Sequence, residues 1–86
     1  MTWHVYILEC QDGSYYTGIA KNVQERMKQH KKGNGSKYVA SKGFKKLLYS
    51  FKAKNRSQAS KYEYNIKQLK KYEKTEFFRN KTITNK

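Results

Sequence analysis

The stretch WHVYILECQDGSYYTGIA, residues 3–20, decides the fold because it places two strand-like segments on either side of a turn. Residues 3–10 are rich in β-branched and aromatic side chains and are apolar on both alternating faces, which is typical of a central strand. Residues 11–13, Gln-Asp-Gly, carry a turn signal, and residues 14–20 are again suited to a strand. The stretch therefore predicts a β-hairpin whose successive side chains point to opposite faces of the sheet.

Three further elements are predicted behind the hairpin. Residues 22–32 predict a helix with Asn22 as its N-cap, and residues 45–53 predict a third strand. Residues 55–72 predict a second helix, because apolar side chains recur there every three or four positions. Residues 37–43 predict only a basic loop.

The order strand, strand, helix, strand, helix predicts an α+β fold. We expect a small, mostly antiparallel three-stranded sheet with flanking helices. A single domain is expected over residues 1–80, with a short helical turn at 73–78 and a disordered basic tail over 81–86.

The composition points to a polyanionic partner. The 86 residues include 20 Lys and Arg against 6 Asp and Glu, a formal net charge of +14. Such a field attracts polyanions, and nucleic acid is the first candidate. The alternatives are a lysine-rich surface that only aids solubility and an anionic membrane surface, but no long apolar segment supports the membrane. Cys10 is the only cysteine and the N-terminus has no signal-peptide pattern, so we expect a cytoplasmic protein.

Four short segments, VYIL, YTG, ERMKQH and YEYNIKQL, occur in that order along the chain. Their arrangement resembles the GIY-YIG endonuclease domain family, and most closely its short stand-alone bacterial members. In this chain the first motif is His-Val-Tyr at 4–6, and the second is Tyr-Thr-Gly at 16–18. Arg26 and His30 on the first predicted helix and Glu63 on the second complete the resemblance, which covers nearly the whole chain.

The resemblance implies a nuclease that cleaves phosphodiester bonds in nucleic acid with one divalent metal, Mg²⁺ or Mn²⁺. Carried over by motif position, the implied catalytic residues are Tyr6, Tyr16, Arg26, His30 and Glu63. Of these, Glu63 is the implied metal ligand, and Gly18 is expected to leave room for Tyr6 or for a phosphate. His4 stands where the family has Gly, and Thr17 where it has Ile, but every chemical group of the implied site is retained.

The residue types are consistent with this chemistry. Arg26 and His30 lie four positions apart and project from one side of a helix, where Arg26 can offer a fixed positive fork to a phosphate. Taken alone, the pair is better explained as a surface arginine and a partly buried histidine, and only the presence of the two tyrosines favours a shared site. Tyr6, Tyr16 and His30 are each candidates for the general base, and the sequence leaves that choice open. A free tyrosine has a pKa of about 10, so nearby positive charge would have to stabilise its phenolate.

Glu63 is the expected metal ligand, because one carboxylate with waters and substrate oxygens commonly holds Mg²⁺. Glu9 on the first strand is the best rival ligand. An ion pair with Lys67, one helical turn later, is the alternative role for Glu63. The chain lacks the clustered carboxylates of a two-metal site, and one Cys with 2 His is too few for structural zinc.

A shared site requires Tyr6 and Tyr16 to lie on one face of the hairpin. A two-residue turn would put them on opposite faces. A three-residue loop over 11–13, with its glycine left-handed, places Tyr6 opposite Gly18 and both tyrosines on one face. We therefore predict the three-residue loop, which directs the neighbouring Tyr15 to the other face.

The predicted function is a nuclease acting on DNA or, less favoured, on RNA, with repair or recombination as a setting by analogy. Lys31, Lys32, Lys37 and Lys42 are expected to contact phosphates and to set affinity rather than sequence choice. The chain is expected to have weak sequence preference, to recognise nucleic-acid structure, or to take its specificity from a protein partner. The alternatives are a non-catalytic nucleic-acid-binding module of the same fold and a small basic structural protein. The intact set of site residues favours the nuclease.

Overall fold

The computed structural model describes residues 2–84, which form one three-stranded antiparallel sheet with helices on both faces. The strands are β1 (Trp3–Cys10), β2 (Tyr15–Ala20) and β3 (Phe44–Ala53), in the spatial order β2-β1-β3. The helices are α1 (Val23–Lys32), α2 (Lys37–Lys42), α3 (Arg56–Lys67) and α4 (Lys71–Thr84). The predicted α+β class and antiparallel sheet are confirmed. Within the described residues, no helix is long and apolar enough to cross a membrane.

Three residues, 11–13, separate Cys10 from its bonded partner Ser14, so the predicted three-residue loop is present. The Cys10 amide donates to the Ser14 carbonyl at 2.8 Å, and the Gly13 amide donates back to Cys10 at 3.0 Å. Gly13 has a φ of 86°, a left-handed conformation that glycine adopts without a steric penalty. In the resulting register Tyr6 pairs with Gly18, so both motif tyrosines lie on one face.

The central strand β1 divides its side chains between two apolar clusters. Its odd-numbered residues Val5 and Ile7 pack with α3 and α4, and its even-numbered residues Tyr6 and Leu8 pack with α1 and α2. All four are fully buried. Each buried side chain of this size stabilises the fold by about 1.5–3 kcal/mol, so β1 anchors both faces. Tyr15 packs with the first cluster, on the predicted face away from Tyr6.

Asparagine side chains cap the two longer helices that follow a strand, and the cap predicted at Asn22 is present. Asn22 accepts the Glu25 amide at 3.0 Å at the start of α1, and Asn55 accepts the Gln58 amide at 2.9 Å at the start of α3. Each such bond satisfies an amide that the first helical turn leaves unpaired. Gly33, with a φ of 84°, ends α1 in the left-handed conformation.

The segment 37–43 is not a loop, and the prediction is wrong there. Residues Lys37–Lys42 form helix α2, whose N-cap Ser36 accepts the Val39 amide at 3.1 Å. Val39 is fully buried in the cluster around Tyr6 and Leu8. One buried apolar side chain and one cap therefore hold this six-residue segment as a helix.

The second predicted helix also ends earlier than expected. Helix α3 stops at Lys67, where amides at 68 and 69 bond three residues back and tighten the last turn. The Lys70 amide then donates to the Glu73 carboxylate at 2.8 Å, which caps the start of α4. Helix α4 includes the predicted turn at 73–78 and runs through residues 81–84, where a tail was expected. Residues 85 and 86 lie outside the described residues.

Candidate active site

The centre of the candidate site is a buried hydrogen bond between Tyr6 on β1 and His30 on α1. The Tyr6 hydroxyl lies 2.8 Å from His30 Nε2, and the exposed fractions of the two residues are 0% and 2%. His30 is in the last turn of α1, and this turn packs over the Tyr6 face of the sheet. His30 Nδ1 is buried and has no hydrogen-bond partner among the described residues.

Tyr16 on β2 completes an aromatic cluster with this pair, and Gly18 makes the cluster possible. The Tyr16 ring centroid lies 6.4 Å from that of Tyr6 and 5.7 Å from that of His30. A Cβ at position 18 would lie 2.5 Å from the Tyr6 hydroxyl oxygen and 3.1 Å from Tyr16 Cε2. The two tyrosine rings therefore occupy the space that a side chain at position 18 would need.

Arg26 brings positive charge to the Tyr6–His30 pair. It lies one turn before His30 on α1, and its Nη1 donates to the Ile19 carbonyl at 3.5 Å, a long and weak hydrogen bond. The guanidinium is half-buried and also lines a cleft of about 220 Å³ with Trp3 and Lys21, among others. Arg26 therefore touches both the buried site and an opening to solvent.

Glu63 approaches from α3, which packs against β1 and β2. Its carboxylate acts electrostatically on Tyr6 and forms an ion pair with Lys67, with 3.2 Å between Oε2 and Nζ. The Lys67 ammonium in turn lies 5.7 Å from the Tyr16 ring centroid. The ion pair, which is the alternative role for Glu63, is therefore present, and through Lys67 it connects the Glu63 carboxylate to the Tyr16 ring.

The electrostatics keep both members of the central pair neutral. Burial raises the pKa of Tyr6 to about 12, and Tyr16 and Glu63 act in the same direction. Arg26 lowers the Tyr6 pKa, as the sequence argument expects, but burial outweighs it. Burial also lowers the pKa of His30, and the nearby charge of Arg26 adds to this effect. The imidazole is thus uncharged at neutral pH and can accept a proton.

The donor set fits a metal held by one carboxylate. Among residues 2–84, no group of three or more His, Cys, Asp or Glu side chains could bind a metal ion together. Mg²⁺ usually keeps several waters and takes one or two carboxylates plus substrate phosphates, which Glu63 at this position can satisfy. The rival Glu9 pairs with Tyr15 across the strands, on the face away from Tyr6, and lies 3.8 Å from Lys45.

The predicted phosphate-contacting lysines are all exposed. Lys31 and Lys32 directly follow His30, and Lys37 and Lys42 begin and end α2. Helices α1 and α2 therefore present positive charge on the same side of the sheet as the aromatic cluster. Contact of these lysines with nucleic acid stays a prediction.

Sequence reasoning missed three residues that support the aromatic cluster. Tyr38 on α2 stacks on Tyr16, with centroids 5.8 Å apart and planes at 24°. Phe44 stacks on His30 at 6.4 Å and 9°. Gly35 lies flat against the His30 ring, since a Cβ there would overlap Nδ1 and lie 2.7 Å from Cε1. The available signal was the Gly-Ser pair at 35–36, which both leaves space and caps α2.

Comparison with known proteins identifies the family of the chain. The model of the GIY-YIG catalytic domain matches residues 2–76. The UPF0213 protein OB0043 of Oceanobacillus iheyensis is 45% identical over 71 residues, 83% of this chain and 83% of that protein. The UPF0213 protein VNG_2274C of Halobacterium salinarum is 40% identical over 75 residues, 87% of this chain and 97% of that protein.

A solved structure gives the same result for the fold. The solution NMR structure of the UPF0213 protein BH0048 from Bacillus halodurans is 38% identical and superposes with a TM-score of 0.55, covering 90% of this chain and 82% of that one. The resemblance drawn from the spaced tyrosine motifs is thereby confirmed. The chain belongs to the family of the GIY-YIG catalytic domain.

Proposed function

We propose that this chain is a metal-dependent endonuclease that hydrolyses phosphodiester bonds in nucleic acid, with DNA favoured over RNA. The observation that carries the proposal is the buried cluster in which Tyr6 and Tyr16 share the space left by Gly18 and His30 bonds to the Tyr6 hydroxyl. Family membership alone gives only the class of nuclease-related domains. The cluster adds a buried, hydrogen-bonded proton acceptor within reach of a positive phosphate-binding group.

The central pair acts as a proton relay in this proposal. With a pKa of about 12, only about one Tyr6 in ten thousand would be a phenolate at pH 8, which is too few for an efficient free base. Instead, the Tyr6 oxygen takes a proton from the attacking water while its own proton passes to His30 Nε2, 2.8 Å away. The hydroxide formed bonds to phosphorus as the bond between phosphorus and the leaving oxygen breaks, and the leaving oxygen takes a proton from solvent. The pair is reset when Tyr6 releases one proton to solvent and takes back the proton that His30 holds.

Arg26 binds the non-bridging phosphate oxygens, entering from the cleft that it lines. Its planar fork matches two oxygens at once, and its charge stabilises the additional negative charge of the transition state. A positive group beside His30 disfavours the imidazolium that the relay forms. The negative phosphate drawn to Arg26 offsets this effect once substrate is bound.

Glu63 would hold Mg²⁺ or Mn²⁺, which when bound supplies positive charge to the phosphoryl group. The Glu63–Lys67 ion pair must open for this role. Both side chains are partly exposed, 24% and 46%, and such a pair contributes at most about 1 kcal/mol, so opening costs little. The released Lys67 ammonium is then free to contact the nucleic-acid backbone.

The decisive test compares Glu63→Gln with a matched control, Glu76→Gln. Glu76 is an exposed carboxylate on α4 that pairs only loosely with Arg79, at 3.9 Å. Single-stranded, double-stranded and branched DNA and RNA are each incubated with Mg²⁺ or Mn²⁺. Glu63→Gln is expected to lose at least about 100-fold in cleavage rate with an unchanged unfolding temperature, and the control is expected to match wild type.

Full activity of Glu63→Gln would remove the carboxylate from the mechanism. Binding by the wild-type chain without cleavage of any substrate would instead favour the non-catalytic module. Residues 2–84 are taken up by one sheet and its helices, and no separate target-recognition unit is present among them. We propose that target choice comes from nucleic-acid structure or from a protein partner, in repair or recombination.

A further inference from the structure

We propose that Tyr38 is a stacking platform for one unpaired nucleobase of the substrate, next to the bond that the site cleaves. This inference rests on the proposed nuclease function and adds the class of nucleotide that the enzyme prefers. It begins from the position of Tyr38, which no part of the relay uses.

Tyr38 continues the aromatic cluster from the buried interior to solvent. The exposed fraction of His30 is 2%, Tyr16 is half-buried, and Tyr38 is 42% exposed. The Tyr38 ring is nearly parallel to that of Tyr16, with 24° between their planes, so one ring face is backed by the protein. A supported ring with an open side loses little conformational entropy when another planar group stacks on it.

Charge around Tyr38 favours a nucleotide as that planar group. The Lys42 ammonium lies 5.9 Å from the Tyr38 ring centroid and forms an ion pair with Asp12 at 3.4 Å. Lys42 and Asp12 are each 43% exposed, so the pair is weak and opens readily. A base can take the position of the ammonium over the ring, while Lys42 moves to the phosphate of the same nucleotide.

Stacking on a protein ring requires a base with a free face. In continuous duplex both faces of each base are covered by neighbouring bases, whereas unpaired bases in single strands, loops and flaps can be splayed outward. Base–aromatic stacking contributes about 1–3 kcal/mol per base and tolerates any base identity. Tyr38 therefore selects for unpaired structure without selecting for sequence.

The test separates the base from the backbone by using DNA that has no bases. Binding of a single-stranded thymidine 12-mer and of an all-abasic 12-mer is measured by fluorescence anisotropy, with EDTA present and salt fixed. Tyr38→Leu is expected to lower the ratio of the two affinities by about 5- to 150-fold, the equivalent of one stacked base. Tyr38→Phe keeps the ring and should retain the ratio. The control Tyr64→Leu removes a 69% exposed tyrosine on α3 and should also retain it.

An unchanged ratio in folded Tyr38→Leu would overturn the proposal, and so would an equal loss in the Tyr64→Leu control. Folding of each variant is checked by circular dichroism. Because the binding assay contains no divalent metal, its result is independent of cleavage. A wild-type chain that fails to cleave but shows the Tyr38 effect refutes the nuclease and leaves the stacking site standing. A wild-type chain that cleaves but shows no Tyr38 effect supports the nuclease and refutes the stacking site.

Discussion

Adding one methyl group at position 18 is expected to damage both the stability and the chemistry of this domain. In Gly18→Ala the new Cβ would lie 2.5 Å from the Tyr6 hydroxyl oxygen and 2.7 Å from Cζ. Ordinary van der Waals contacts begin near 3.4 Å, so the end of the Tyr6 side chain must retreat by about 0.9 Å. The retreat is hindered because Tyr6 is fully buried and bonded to His30, which is itself packed against Gly35.

The expected cost follows from these contacts. Overpacking a well-packed core destabilises by about 1–3 kcal/mol, and loss of the Tyr6–His30 hydrogen bond adds about 1 kcal/mol. The free energy of unfolding should therefore fall by about 2–4 kcal/mol, which lowers the melting temperature of a domain of this size by roughly 10–30 °C. Cleavage should fall by about 100-fold in any molecules that remain folded, because the relay oxygen is displaced by almost 1 Å.

A double-mutant cycle in urea, followed by circular dichroism, isolates the cause. In the Tyr6→Leu background the phenol is absent, so Gly18→Ala should be neutral or stabilising by up to about 1 kcal/mol. The reason is that alanine loses less conformational entropy than glycine when it is ordered in a strand. Gly18→Ala is thus expected to lower the free energy of unfolding when Tyr6 is present and to leave it unchanged or raise it when Tyr6 is replaced by leucine. An equal cost in both backgrounds, or a cost below about 0.5 kcal/mol in the wild type, would show that the glycine is not there to admit Tyr6.

Three further predictions concern the stability of the folded domain. Burial lowers the pKa of His30, so as pH falls below about 6.5 the unfolded chain binds a proton before the folded chain does, and the folded state loses stability. Urea unfolding at pH 7 and pH 5 should therefore show a larger drop in the free energy of unfolding for wild type than for His30→Gln. Equal drops would contradict a buried neutral imidazole. The Tyr6 pKa of about 12 lies above the unfolded value near 10, so the stability that comes from the neutral phenol is present below pH 10 and is lost as pH rises above it. The advantage of wild type over Tyr6→Phe in the free energy of unfolding should therefore shrink by about 1 kcal/mol between pH 9 and pH 11. A constant difference would argue against burial of the phenol. Asn55→Ala should cost about 1 kcal/mol in thermal unfolding by removing the α3 cap, whereas Asn55→Asp should keep it; the same cost in both variants would mean that the cap bond is not the cause.

The hairpin was predictable because its signals are local and obey strict rules. A glycine after Asp12 marks the left-handed end of a three-residue loop, and strand alternation then assigns every side chain to a face. The requirement that Tyr6 and Tyr16 share a site selects this register over the two-residue turn. The register in turn predicts that Gly18 stands opposite Tyr6, and all of this is found in the structure.

The elements that sequence reasoning missed depend on tertiary contacts instead. Helix α2 has six residues, too few to be stable alone, and is held by the burial of Val39 against the sheet. The break between α3 and α4 contains neither glycine nor proline, the usual markers of a helix end. It arises because α4 must turn back for Phe78 to reach Phe51 on β3, with ring centroids 5.3 Å apart. The stacking of Tyr38 on Tyr16 was not predicted because helix α2, which positions Tyr38, was not predicted.

Because side chains alternate along both strands, the length of the hairpin loop decides which face of the sheet each β2 side chain occupies. The odd-numbered residues of β1 pack in the core with α3 and α4, and the even-numbered residues include Tyr6, the tyrosine of the proposed relay. Deleting one residue between Cys10 and Ser14 would move every β2 side chain to the opposite face of the sheet, so that Tyr16 would point into the core and Tyr15 toward His30. A change of two residues would restore the phase. The number of residues between Cys10 and Ser14 therefore decides which of the two neighbouring tyrosines faces His30.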